Sequence, residues 1–191
     1  MINLTKRSFF FALACGVVAL AASPAFAAKV KTEDELIADL ASPKESVVTG
    51  AMLKLEKEHP TSTKWQPEVK KMLTDSRSAV RRKAGRVLGS VHAEVSDVDL
   101  KNITAMFSAT DPQEAMDALK SLRGLKAEST LPQVVGLLQN AHVGIVRDAL
   151  RTLAVLGNKS HVSNIEPLLK HADPKVQKDA QDAIFTLKAK S

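Results

Sequence analysis

Asp75-Ser76-Arg77-Ser78-Ala79-Val80-Arg81-Arg82-Lys83-Ala84-Gly85-Arg86-Val87-Leu88-Gly89 is the stretch on which the fold turns. Val80, Ala84 and Leu88 recur every four residues, the spacing of one helical face rather than of a strand. The small alanine at the centre lets two helix backbones approach closely. Working outward, the same alanine stands eleven residues after a bulky apolar anchor in five places. The anchors are Leu40, Leu73, Phe107, Leu138 and Leu169, and the alanines are Ala51, Ala84, Ala118, Ala149 and Ala180. Four residues further on come Leu55, Leu88, Leu122, Leu153 and Ile184; four before each anchor lie Leu36, Val69, Ile103, Val134 and Ile165. The periods are 33, 34, 31 and 31 residues, which indicates stacked units that bury their apolar faces on one another.

Each unit reads as two helices, and no window alternates apolar and polar residues long enough for a sheet, so the expected fold class is all-α. Helix starts are marked by Ser42-Pro43-Lys44-Glu45 and Asp111-Pro112-Gln113-Glu114, which combine a cap, a first-turn proline and a glutamate three residues after the cap. Asp173-Pro174, Thr32 with Glu35, and Ser96 with Asp99 repeat parts of that signal. Gly89, Gly124 and Gly157 fall where second helices are expected to stop. The units expected are 32–60, 63–92, 96–126, 128–158 and 161–188.

The stretch Asp75–Gly89 resembles the second helix of a HEAT-like repeat of the type named after phycobilisome lyases. Asp173-Pro174-Lys175-Val176, followed by Ala180 and Ala183, is similar, and Pro67, Pro132 and Pro167 fit the first helices of such units. The resemblance covers about Thr32 to Lys188 and implies an α-solenoid, a right-handed superhelix of two-helix units whose second helices line the concave side. The family includes scaffolds, chromophore-lyase subunits, iron-dependent hydroxylases and a DNA glycosylase group, so the fold alone selects no activity. Glu114 departs from the pattern, standing where other copies have Val or Ile.

On the second helices, positions two before and two after the alanine point away from the packed face. They read Thr49, Arg82, Met116, Arg147, Lys178 and Leu53, Arg86, Lys120, Arg151, Asp182. Arg82, Arg86, Lys120, Arg147, Arg151 and Lys178 are therefore the expected basic binding face. No acid interrupts the chain between Ser76 and Ala93. This stripe reads either as an anion-binding groove or as a solvated face that keeps the solenoid soluble. The position one before the alanine carries Asp117, Asp148 and Asp179, expected as a structural ladder pairing with cations of the next unit.

Chemistry-bearing motifs are missing: no Gly-rich phosphate loop, H-E-x-x-H or G-x-S-x-G occurs. His59, His92, His142, His161 and His171 show no His/Glu pairing at ligand spacing, and the pairs used by the iron-dependent HEAT-like hydroxylases are missing. Neither an enzyme, nor a cofactor, nor a metal is expected. Trp65 is either an interaction anchor or a core residue of an end unit. Aromatics are 4% of the chain, with no tyrosine, which disfavours base stacking and hence nucleic acid as a partner.

The N-terminus has the form of a secretory signal peptide: Lys6 and Arg7, an apolar run from Phe9 to Ala22, then Ala25-Phe26-Ala27 before Ala28. Cleavage there removes Cys15 and takes the formal charge from +6 to +4. A mature chain without thiols suits an oxidising compartment. The expectation is a periplasmic or secreted scaffold that binds a protein or peptide through its concave face, an acidic partner or an anionic envelope polymer matching the charge. It would not be an integral membrane protein once cleaved. The alternatives are an accessory subunit of a lyase-type or other enzyme, or a solenoid that binds anionic polymers or nucleic acid.

Overall fold

The computed structural model describes residues 30–190, so the signal-peptide reading of residues 1–27 lies outside the described residues. Ten α-helices occur there and belong to one unit, Lys31–Ser191. They are α1 (Glu33–Asp39), α2 (Glu45–Glu58), α3 (Gln66–Lys71), α4 (Ser78–Ser90), α5 (Asp97–Ala105), α6 (Pro112–Leu125), α7 (Leu131–Gly136), α8 (Val143–Leu156), α9 (Val162–Ile165) and α10 (Pro174–Ala189). They pack in consecutive pairs, α1 on α2 through α9 on α10, and each second helix then packs on the next. The result is an all-α solenoid. No helix among the described residues is long and apolar enough to cross a membrane.

The repeat column becomes the core. Ala51, Ala84, Ala118, Ala149 and Ala180 are all buried, with Leu55, Leu88, Leu122 and Leu153 beside them. The anchors of the first helices are less uniform. From α3 onward, each first helix ends in a tighter 3₁₀ turn, as at Met72–Thr74, Met106–Ser108 and Leu137–Gln139. At three residues per turn the face rotates, and in the third unit Met106 is buried while Phe107 is only half-buried. Leu169, an expected anchor, is 43% exposed; it lies in the 3₁₀ run Glu166–Lys170, which turns Leu168 onto the core in its place.

Helix starts follow the sequence signals in most places. Thr32 with Glu35 and Ser96 with Asp99 form reciprocal capping boxes. The Asp111 and Asp173 carboxylates accept from the backbone N–H groups of Gln113 and Lys175 at 2.9 and 2.7 Å. At Ser42 the expectation fails: α2 begins at Glu45 with Lys44 as cap, while the Ser42 hydroxyl accepts from the Lys44 N–H. Glu114 also makes no capping box, since its carboxylate is held by Arg81.

The helix stops need a larger correction. Gly157 does follow α8, but Gly89 and Gly124 lie inside α4 and α6. The chain reverses instead at His92 (φ 51°) and Lys126 (φ 53°), both in the left-handed region that favours glycine. The Ala93 N–H then reaches the Leu88 carbonyl at 3.0 Å, and the Ala127 N–H the Leu122 carbonyl at 3.1 Å. The His92 Nδ1–H also donates to the Gly124 carbonyl at 2.7 Å. Glycine is placed where two backbones meet: a Cβ on Gly124 would stand 2.4 Å from the Gly89 carbonyl oxygen, and one on Gly89 would stand 2.9 Å from that of Ser121.

Candidate functional site

The second helices form a continuous row, α2–α4–α6–α8–α10, packed side by side. First helices of neighbouring units touch far less, so the row of second helices is the more closely packed layer. All six residues of the expected basic face lie on it, but they are not equivalent. The Arg82 Nε donates to Asp117 at 2.7 Å, and its Nη1 lies 3.5 Å from Asp111. Arg147 donates to Asp179 at 2.7 Å, and that carboxylate raises the arginine's affinity for its proton. Arg151 is shared between Asp148 at 3.0 Å and Asp179 at 3.6 Å. Lys178 is 4.0 Å from Asp182, with both side chains well exposed, a pairing worth little in water. Arg86 and Lys120 are exposed and make no ion pair or hydrogen bond among the described residues.

The aspartates do bridge units, in the opposite direction to the one expected. Asp117 and Asp179 each take an arginine from the preceding unit, because a long arginine stem lies along the helix surface and carries its head across the seam. The rung at Asp148 is different, since Met116 replaces the arginine of the preceding unit. There Arg123 crosses from α6, donating to the Asp148 carbonyl at 3.2 Å and the Thr152 hydroxyl at 2.8 Å. Burial weakens the hold of Arg123 on its proton, with Asp148 opposing that shift.

Arg81 and Glu114 form a second bridge between α4 and α6. Glu114 is 4% exposed and accepts at 2.7–3.2 Å from Nη2 and Nε of Arg81, whose Nη1 donates to the Asp75 and Ser76 carbonyls. Every guanidinium nitrogen is engaged, which makes this pair a rivet rather than a site. The signal was present in the sequence: an acid in an apolar column, 33 residues after an arginine.

Beyond these bridges, toward the C-terminal ends of the two helices, α4 and α6 meet backbone to backbone through Gly89, Ser121 and Gly124. Just above that contact a cleft is lined by Glu56, Lys83, Arg86, Gly89, Ser90 and Lys120. A second cleft continues it toward Thr49 and Asp117 and shares Lys83 and Arg86. The sequence reading did not assign Lys83 and Glu56 to the face. Lys83 occupies the column of the aspartates, one residue before Ala84. Its Nζ is 3.4 Å from Glu56, which also accepts from the Ser90 hydroxyl at 2.6 Å.

Trp65 is fully buried, its indole N–H donating to the His59 carbonyl at 3.0 Å, so it belongs to the core. His161 and His171 each bond locally, to Asn158 and to the Asp173 N–H. No group of three or more metal-ligating side chains occurs among the described residues.

No protein-family model matches the chain, and no curated protein matches it in sequence. Solved structures do match. A chain in the complex of CpcE and CpcF of phycocyanin lyase, from a Nostoc species, is 22% identical with a TM-score of 0.71, covering 87% of this chain and 69% of that one. A designed armadillo repeat protein in complex with the peptide (KR)4 is 16% identical with a TM-score of 0.58, covering 80% of each chain. A chain from a structure of microtubule plus-end tracking is 17% identical with a TM-score of 0.55, covering 80% of this chain and 77% of that one. Together they show a HEAT/armadillo-type repeat solenoid.

Proposed function

We propose that the chain is an exported scaffold, periplasmic or secreted, that mediates protein–protein interaction through its row of second helices. The observation that carries this reading is the row itself, five stacked helices whose outward side is left uncovered and furrowed between neighbours. Support comes from two similar solenoids, one solved in a complex of CpcE with CpcF and one with a bound peptide. A photo-crosslinking residue at Lys178 on α10 should capture a partner in cells, whereas one at Gln133 on α7 should not. Capture only from Gln133 would overturn the reading. Export is tested separately by mass spectrometry of the secreted or periplasmic protein. An N-terminus at Ala28 supports it, and an intact Met1 retained in the cytoplasm removes it.

A lyase-accessory role is the second reading, favoured by the likeness to a chain of the CpcE–CpcF complex. It predicts a stable complex with a second solenoid, visible by size-exclusion chromatography of the natively expressed protein.

A further inference from the structure

We propose that the cleft over α4, flanked by α2 and α6, is the docking point, and that its occupant is an acidic segment of a partner protein, one carboxylate of which bridges Arg86 and Lys120. This rests on the reading of the second helices as the binding face and narrows it to one place and one chemistry.

Three observations single out the cleft. Arg82, Arg147 and Arg151 already hold carboxylates of their own chain, whereas Arg86 and Lys120 hold none. These two stand on adjacent helices and face a shared cavity of about 230 Å³, where their like charges repel until an anion enters. The cleft also has a built-in precedent for its ligand. The Glu56 carboxylate sits in it between Lys83 and the Ser90 hydroxyl, so one acid is already bound by cation and hydroxyl in the manner the open pair would bind another. With Lys83, Arg86 and Lys120 against Glu56 alone, the lining keeps two positive charges in excess.

The shape and floor select a peptide over other anions. The cleft runs on along α4 into a neighbouring one through Lys83 and Arg86, an elongated furrow rather than a closed cage. Its floor is the bodies of α4 and α6, whose amides are bonded within the helices, so no cluster of free N–H groups cradles a phosphate. No aromatic lines either cleft, which removes the platform on which bases stack. Carboxylates spaced along an extended chain suit side-chain cations set at intervals.

The test uses the whole mature protein, isotopically labelled, with a fluorescein-labelled hexaglutamate peptide in about 50 mM salt, where screening is weak. The peptide should bind, with amide shifts centred on Arg86, Gly89 and Lys120. The double variant Arg86→Gln/Lys120→Gln should weaken it on the order of tenfold, as loss of charge-assisted contacts does. Lys178→Gln, which removes a single positive charge elsewhere on the row, should change it less than about twofold. Glu56→Gln, which frees Lys83, should tighten binding, an outcome no folding defect produces. Shifts confined to other second helices would overturn this proposal and leave the binding face standing. Shifts on first helices, or no binding at all, would overturn the proposal, and partner crosslinks at Gln133 rather than Lys178 would remove the face itself. Inorganic phosphate binding at Arg86 and Lys120 as tightly as the peptide would overturn the acidic-segment assignment.

Discussion

The seam between α4 and α6 and the seam between α6 and α8 occupy equivalent places in the repeat, yet they are joined differently. The first combines glycine-to-glycine backbone contact with two side-chain bridges, Arg81–Glu114 and Arg82–Asp117. The second has Arg123 bonded only to the neutral oxygens of Asp148 and Thr152, and Met116 in place of an arginine. A shared repeat thus fixes which helices touch, while the residues between the column positions decide how tightly. The tight seam is also where two free cations are brought to one cleft, so the rivets and the candidate docking point are parts of one local arrangement.

The contrast is broken most severely at the glycines. Gly124→Ala should cost about 3 kcal/mol, because the new methyl meets a backbone carbonyl that has no side-chain freedom to yield; urea unfolding measures it, and a neutral result would mean the backbones are not in contact. Glu114→Gln should cost roughly 2 kcal/mol, leaving the half-buried Arg81 without its counter-charge, in the same assay. At the looser seam, Thr152→Val takes one oxygen from Arg123 and should cost about 1 kcal/mol; a loss as large as that at Glu114 would erase the distinction between the seams. Arg86→Gln should shift the melting midpoint hardly at all, about 0.5 kcal/mol or less, since nothing in the fold leans on it.

Acid should reach the N-terminal end of α4 as well. Hydrogen bonding from Arg77, opposed by burial, holds the Asp75 carboxyl below its ordinary 3.8. A carboxyl lowered on folding contributes stability above its unfolded value and loses it as pH falls through the folded one. Asp75→Asn should therefore flatten the acid limb of a pH–stability curve below about pH 4 while leaving helicity at neutral pH intact.

Much of the architecture was legible because the alanine column is a packing requirement that a sequence displays directly. All five alanines are buried, at 0–3% exposure. Leu169 and Phe107 misled because the 3₁₀ turns bring their neighbours Leu168 and Met106 onto the core instead, which a four-residue spacing does not reveal. Gly89 and Gly124 were misread as stops because glycine serves both a left-handed turn and a close approach, and only the neighbouring helix tells them apart. On the face, helical geometry located the cations correctly on the second helices, but not where their heads go. Arg82 and Arg147 fold across a seam, whereas Arg86, four residues along the same helix from Arg82, does not. A direction along one helix does not encode what the next helix offers.

The meeting of Gly89 with Gly124 bears on how such a molecule can lengthen over evolution. Units joined through interchangeable side chains tolerate a new copy inserted between them. Here a copy inserted between the second and third units would need a bare backbone on both of its sides, so growth by duplication is steered away from this seam and toward those joined by side chains.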